Sequence, residues 1–191
     1  MTKNRLIAGV ALIVVLGLVG AIAAFVVDQE QSPETVTSLS IRGKVVVEAY
    51  HYDEKTGTYV LFYRDESSNL MVNIGFDWVE NQLGDSPDSN PAKWISLSLS
   101  SSSPVAGWTQ IPTEIAADGL SRAAGTYSDE GTGAWNIVYE FTASATLTDV
   151  QLTGLQSAPS GDGNLVAAKE FTPVTLNNGD KLTITWILTL I

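Results

Sequence analysis

The sequence predicts a mainly β protein, in which an N-terminal apolar helix precedes one antiparallel β-sandwich of Ig-like or jelly-roll type. From about Leu39 onward, β-branched and aromatic residues alternate with polar ones in short runs, separated by Gly, Pro, Asp, Asn and Ser. Such amphipathic strands need a second sheet to cover their apolar faces, with a closed barrel as the alternative. The predicted segments are a basic leader (1–5), an apolar helix (6–27), a linker (28–38) and an exterior β domain (39–191).

The apolar run 6–27 is long enough to cross a membrane. At about 1.5 Å per residue its 22 residues span roughly 33 Å as a helix, against a hydrocarbon core about 30 Å thick. Lys3 and Arg5 precede the run and acidic residues follow it. The positive-inside rule then places the N-terminus in the cytoplasm. We therefore expect a membrane-anchored protein with an exterior C-terminal domain, or a protein of the extracellular space or virion surface.

Three fates of this run agree with the sequence. It is a signal anchor, a cleaved secretory signal with small residues at Ala21 and Ala23, or the core helix of a filament. In the last case its layout resembles that of archaeal pilin-like subunits, whose apolar helices pack together. Small residues spaced four apart form faces on which a second helix can pack. These helix-packing candidates are Gly17, Gly20, Ala21 and Ala24.

A hairpin begins the β domain. Residues 40–52 and 58–64 are predicted strands, and the five residues between them end in Gly57, where a left-handed conformation closes the turn. The stretch 36–41 also has strand character. It is predicted either to pair within its own domain or to add to the sheet edge of a neighbouring copy.

A strand over 69–74 and a short helix are predicted next. Phe76, Val79 and Leu83 follow a helical spacing that Gly84 ends, and the helix is expected to cap an open end of the sandwich.

The run 95–100 alternates Ile or Leu with Ser, which predicts a strand with one buried face and one face in water. Residues 108–115, interrupted by Pro112, are expected to form an irregular edge segment.

The remaining strands follow at regular spacing. They are predicted at 120–127, 134–144, 147–155, 164–171 and 181–191. Alternation places two sets of apolar residues in the core: Trp135, Ile137, Tyr139 and Phe141, and Leu182, Ile184, Trp186, Leu188 and Leu190.

Four segments resemble β-rich structural proteins of phages and archaeal viruses. They are Trp94-Ile-Ser-Leu and residues 119–127, 132–137 and 173–186. The resemblance implies a structural role and no catalytic residue.

Charge and composition exclude several classes of function. The chain has 10 basic and 21 acidic residues, and no cysteine. Without Lys3 and Arg5, 8 bases remain against 21 acids, so the exterior part carries 8 minus 21, or −13. This charge repels nucleic acid, so no nucleic-acid partner is expected. The absence of cysteine excludes disulfides, iron–sulfur clusters and thiol nucleophiles.

Catalytic side chains are scarce as well. His51 is the only histidine, and its place in a predicted strand favours an ordinary structural position over a catalytic base. Three pairs of adjacent acids are expected to be solvated residues at turns and strand ends, not glycosidase carboxylates: Asp53/Glu54, Asp65/Glu66 and Asp129/Glu130. The chain is therefore predicted not to be an enzyme.

Oxygen-rich loops make calcium the one cofactor to consider. The candidate ligands are Asp85, Asp88, Asp129, Glu130 and Asp162. Turn chemistry alone also explains acidic residues at such positions, and no other cofactor is expected.

Two of the five tryptophans, Trp78 and Trp108, lie near predicted loops or edges and are candidates for stacking on a glycan. The predicted function is a non-enzymatic structural subunit that assembles with copies of itself into a virion or cell-surface structure such as a pilus or filament. The alternative is a secreted or anchored adhesin that binds a surface carbohydrate.

Overall fold

The computed structural model describes residues 40–84 and 90–191. Within these ranges the chain forms ten strands and one helix. In chain order they are β1 (Ile41–Asp53), β2 (Thr58–Ser68), β3 (Leu70–Met71), α1 (Asn73–Leu83), β4 (Trp94–Ser98), β5 (Ala123–Ala124), β6 (Thr126–Asp129), β7 (Ala134–Thr142), β8 (Leu147–Gln156), β9 (Leu165–Leu176) and β10 (Lys181–Leu190).

The strands form two five-stranded antiparallel sheets. Sheet A has the order β2-β1-β10-β7-β6, and sheet B has the order β3-β9-β8-β4-β5. In sheet A the first strand pairs with the last, from Ile41 opposite Leu190 to Tyr50 opposite Lys181. The prediction of a mainly β fold with two antiparallel sheets is confirmed.

The two sheets pack face to face around one hydrophobic core. Alternate residues of β10 are fully or almost fully buried from Leu182 to Leu188, and Trp186 lies at 0% exposure. Residues of sheet B, among them Ile95 and Leu97, belong to the same cluster. Leu190 differs from its prediction, because it lies at the end of the strand and is 38% exposed.

The prediction for the inner face of β7 is confirmed in part. Ile137 and Phe141 are buried, whereas Trp135 and Tyr139 are half-buried and pack against the core.

The prediction that the serine face of β4 lies in water is wrong. Ser96 and Ser98 are both fully buried, because residues 99–122, here called the covering segment, lie over that face of sheet B. Ser98 donates a hydrogen bond to the carbonyl oxygen of Pro112, and Ser96 accepts one from the Gln156 amide at 2.6 Å. These bonds compensate for the loss of water that burying a hydroxyl entails.

The covering segment is irregular apart from one bridge between Ser98 and Glu114, as expected for residues 108–115. A second apolar cluster forms beneath it. Its buried members are Val72, Ile111, Leu152, Leu165 and Ala168. Sheet B therefore has apolar contacts on both faces.

The hairpin of β1 and β2 is confirmed. Gly57 has a φ of 67°, in the left-handed region that its position requires, and its N–H donates to the Asp53 carbonyl at 2.8 Å.

The helix that the spacing predicts is confirmed and ends at Gly84. The predicted strand 69–74 is wrong in extent, because only Leu70 and Met71 pair with β9 and Ile74 already belongs to α1. Gly75 explains how closely the helix packs on β9. A Cβ added there would lie 2.1 Å from the carbonyl oxygen of Val166.

The later strands keep their predicted places with different ends. The predicted strand 120–127 is two short strands, β5 and β6, and β9 continues to Leu176. In the ranges that the structure describes, no helix has the length and apolar character that a membrane crossing requires. The run 6–27, its helix-packing candidates and most of the 36–41 stretch lie outside the described residues.

Candidate assembly surface

Of the four edge strands in the described part of the chain, only β2 is long. In the described part of the chain, β3 and β5 have two residues each and β6 has four, whereas β2 has eleven. Very short edge strands protect a sheet from pairing with another chain, and a long apolar edge does the opposite. The outer backbone groups of β2 therefore form the natural place for a second chain to pair.

The hairpin end of this edge carries exposed apolar side chains. Five residues, here called the hairpin patch, each expose between 41 and 50% of their surface: Tyr52, Tyr59, Val60, Leu61 and Phe62. Successive residues of a strand point to opposite faces. Because four consecutive residues of β2 are exposed, both faces of the sheet lack cover at this end. The rings of Tyr52 and Tyr59 contact each other at 5.3 Å between centroids.

The other half of β2 is charged, and its Arg64 and Glu66 form ion pairs within sheet A. Arg64 bonds the carboxylates of Glu48 and Glu66, and Lys44 pairs with Glu66. Hydrogen bonds donated by Lys44 and then by Arg64 hold the pKa of Glu66 below its ordinary value. Charges protect this half of the edge, whereas the hairpin patch has none.

A buried carboxylate fastens the hairpin to the sandwich. Asp180 is 2% exposed at its side chain, and one of its oxygens lies 2.6 Å from Nδ1 of His51. Its other oxygen accepts the N–H of Asn177 at 2.8 Å. His51 lies in β1, as predicted, but its partner Asp180 gave no sequence signal that separates it from an ordinary turn residue.

At the opposite end of sheet A the two sheets and α1 enclose an apolar groove, here called the end groove, of about 320 Å³. Most of its lining is apolar, and none of its lining residues is charged. They are Ile41, Met71, Trp78, Val79, Gln82, Leu83, Pro91, Ala92, Tyr127, Trp135, Ile137, Leu155, Val166, Leu188 and Leu190. Leu83 and Tyr127 at its rim are 71% and 62% exposed.

Both tryptophans proposed for glycan stacking are half-buried. Trp78 packs against the main core and donates its indole N–H to the carbonyl of Asn90 at 3.3 Å. Trp108 packs against the cluster beneath the covering segment. Trp78 lines the end groove and Trp108 does not, and glycan binding stays a prediction.

The calcium candidates that the structure describes, Asp129, Glu130 and Asp162, are not part of a gathered metal site. Asp129 accepts the N–H of Gly131 at 3.0 Å, and Glu130 accepts hydrogen bonds from Ser128 and Asn136. Among the residues described, no group of three or more His, Asp or Glu is placed to hold a metal. Asp85 and Asp88 lie outside those residues.

In the loop that contains Asp162, oxygen atoms face a guanidinium group instead. Arg122, whose side chain is 7% exposed, donates to the carbonyl of Ala158 at 3.1 Å and to Oδ1 of Asn164 at 3.2 Å. Its Nε and Nη2 donate to both oxygens of Glu114 at 2.8 and 2.6 Å. A positive charge of this chain thus already occupies part of the oxygen-rich environment that suggested calcium. The sequence analysis did not identify Arg122.

The geometry therefore provides two apolar surfaces at opposite ends of sheet A and, within the described residues, no gathered metal ligands. Comparison of the chain with protein-family models, with curated proteins and with solved structures gives no match.

Proposed function

We propose that this protein is a non-enzymatic structural subunit that assembles with copies of itself outside a membrane, on a virion or in a pilus-like or filamentous cell-surface structure. The observation that carries the proposal is the hairpin patch on the open edge of β2. An edge strand with unpaired backbone groups and exposed apolar side chains is typical of a surface that another chain covers.

The exposed area suits a contact between folded proteins. Five side chains that are 41 to 50% exposed present roughly 500 Å² per copy, since a whole aromatic side chain buries about 150–250 Å². A standard interface buries about 800 Å² per partner. The patch supplies more than half of that area, and the backbone edge of β2 adds hydrogen-bonding groups.

The apolar run 6–27 supports the same proposal from the sequence. As a membrane anchor or filament core it would hold copies close together, which raises their effective concentration and lets a modest contact suffice.

We infer that the sandwich is of jelly-roll type, the alternative being Ig-like. Three of its strand pairs are nested, β1 with β10, β3 with β9 and β4 with β8, whereas β10 also pairs with β7. A jelly roll can be described as one long antiparallel hairpin that is folded over. This arrangement pairs early strands of the chain with late ones. Jelly-roll domains serve as capsid proteins and also as lectins. The fold therefore agrees with a structural subunit without selecting it.

Leu61→Lys in the full-length protein tests the proposal. The substitution places a charge on the hairpin patch, where an interface would have to bury it, and we expect it to weaken self-association at least about tenfold in mild detergent. Sedimentation velocity measures the change. Val105→Lys is the matched control, because Val105 is 53% exposed and lies in the covering segment. It should associate like the wild type. A wild-type protein that stays monomeric in detergent and in lipid would overturn the proposal.

A further inference from the structure

We propose that the hairpin patch of one copy seats in the end groove of the next, so that copies join head to tail. This inference rests on the proposed function, and it names the surface that receives the hairpin patch. The occupant of the groove is a second copy of this chain.

The two surfaces lie at opposite ends of the same sheet. Ile41, at the start of β1, lines the end groove, and Tyr52, near the end of β1, belongs to the hairpin patch. At about 3.3 Å per residue, these 11 steps place them roughly 36 Å apart. A contact between two different surfaces of the same chain is heterologous, and when its rotation does not close a ring it generates an open filament. Head-to-tail joining therefore yields a ring or an open polymer instead of a two-fold dimer.

The distribution of charge also favours contact through these two surfaces. The chain carries a formal charge of −11, so two copies repel each other over most of their surface. No lining residue of the end groove is charged, and the hairpin patch contains only Tyr, Val, Leu and Phe. The side chains that make up the two surfaces are themselves uncharged, and the ammonium of Lys181, which is paired with Glu140, lies over the Tyr59 ring at 4.5 Å from its centroid.

The groove also has the chemistry that side chains of the patch require. Its volume of about 320 Å³ is at the lower end of the range for ligand pockets, which suits a few side chains better than a large molecule. Leu83 and Tyr127 at the rim expose apolar surface of their own. Leu61, which pairs with Tyr50, and Phe62, at the bulge that follows it, are the patch residues that we expect to enter or contact the groove.

Cysteine cross-linking in the full-length protein tests the inference, and the chain suits this experiment because it has no cysteine of its own. Phe62→Cys marks the hairpin patch and Tyr127→Cys marks the groove rim. Both side chains are exposed, so neither substitution creates a cavity in the core. Mixed under mild oxidation in detergent, the two variants should form a disulfide between copies about tenfold faster than Phe62→Cys mixed with Val105→Cys, the control. A chain with both substitutions should form a ladder of covalent polymers.

Three results would overturn the inference. Rapid dimers of Phe62→Cys alone would mean that β2 pairs with β2 across a two-fold axis, which leaves the proposed function intact. Equal rates for Tyr127→Cys and Val105→Cys would mean that the hairpin patch seats elsewhere. Slow cross-linking of every pair, together with a monomeric wild type, would overturn both the inference and the proposed function.

A charge-swap experiment gives a second readout that does not depend on disulfide geometry. Leu61→Lys on the hairpin patch and Leu83→Glu on the groove rim should each weaken self-association at least about tenfold, because each leaves a charge against an apolar surface. Mixed together, the two variants should form heterodimers by sedimentation velocity, because the hairpin patch of Leu83→Glu and the end groove of Leu61→Lys are both unaltered. Failure of the mixture, with both variants folded by circular dichroism, would count against head-to-tail contact.

Discussion

Arg122 links two irregular parts of the molecule, the covering segment and the loop between β8 and β9. Its guanidinium binds Glu114 in the covering segment through two donors and reaches Ala158 and Asn164 in the loop between β8 and β9 through a third. A planar fork of fixed donors makes all these bonds at once, which an ammonium group cannot do. Arg122 therefore fixes the covering segment over the buried face of sheet B.

Arg122→Lys should destabilise the protein although it keeps the charge. We expect a loss of about 2 kcal/mol, because a lysine at this buried position gives up at least one charge-assisted hydrogen bond and the bidentate geometry. This loss lowers the unfolding midpoint by roughly 4–8 °C for a domain of this size. Tryptophan fluorescence during thermal unfolding measures the change, since Trp186 is fully buried.

Arg64→Lys is the matched control for this substitution. Arg64 also bonds two carboxylates, but its side chain is 50% exposed, and ion pairs at the surface contribute between about 0 and 1 kcal/mol. Its midpoint should move much less than that of Arg122→Lys. Equal shifts for the two variants would contradict the role given to Arg122.

At the scale of elements, the turn between β1 and β2 depends on one carboxylate. Asp53 accepts the backbone N–H of Lys55 at 2.9 Å and the hydroxyl of Thr56 at 3.0 Å. These bonds, the backbone one first, lower the pKa of Asp53 below its ordinary value of about 3.9. The carboxylate thus orders the turn that presents the hairpin patch.

The turn should loosen in acid. Because the folded-state pKa of Asp53 is lowered, its stabilising effect is complete above about pH 4 and is lost as the pH falls through that lowered value. In nuclear magnetic resonance spectra of the full-length protein, the Lys55 amide should titrate with a midpoint below about 3.9. Asp53→Asn should abolish this titration, and Glu54→Gln should leave it unchanged. A midpoint at or above the ordinary value would show that the turn does not need the carboxylate.

The elements were predictable where alternation and turn chemistry agreed. The hairpin around Gly57, the helix that ends at Gly84 and the buried face of β10 follow from spacing alone. Ser96 and Ser98 were not predictable, because their burial depends on the covering segment, which is irregular and has no periodicity. The strand prediction at 69–74 is wrong in extent because the apolar residues of this stretch fit the start of α1 as well as they fit a strand.

The candidate site was predictable only in part. Residues 58–64 were predicted as a strand, but their exposure results from the order of strands in sheet A, which places β2 at the edge. The end groove combines residues from seven strands, α1 and the segment after it, and no local pattern reveals such a set. Arg122 shows the same limit, since its partners lie 8, 36 and 42 positions away along the chain.

At the scale of the whole molecule, repulsion between acidic copies opposes a contact that is itself uncharged. A formal charge of −11 acts over a screening length of about 10 Å at 0.1 M salt, and this length falls to about 3 Å at 1 M. Salt also favours the burial of apolar surface when the ion is a kosmotrope such as sulfate. Self-association should therefore strengthen as the ionic strength rises.

Sedimentation velocity of the full-length protein between about 0.05 and 0.5 M sodium chloride measures this dependence. We expect the apparent dissociation constant to fall several-fold over this range. Screening reduces the repulsion between copies, whereas it does not weaken the uncharged contact between the hairpin patch and the end groove. Leu61→Lys should remain weakly associated at every salt concentration, which separates the specific contact from general salting out. Association that weakens with salt would mean that ion pairs between copies hold the assembly together, and the uncharged surfaces at the two ends of sheet A would then have another use.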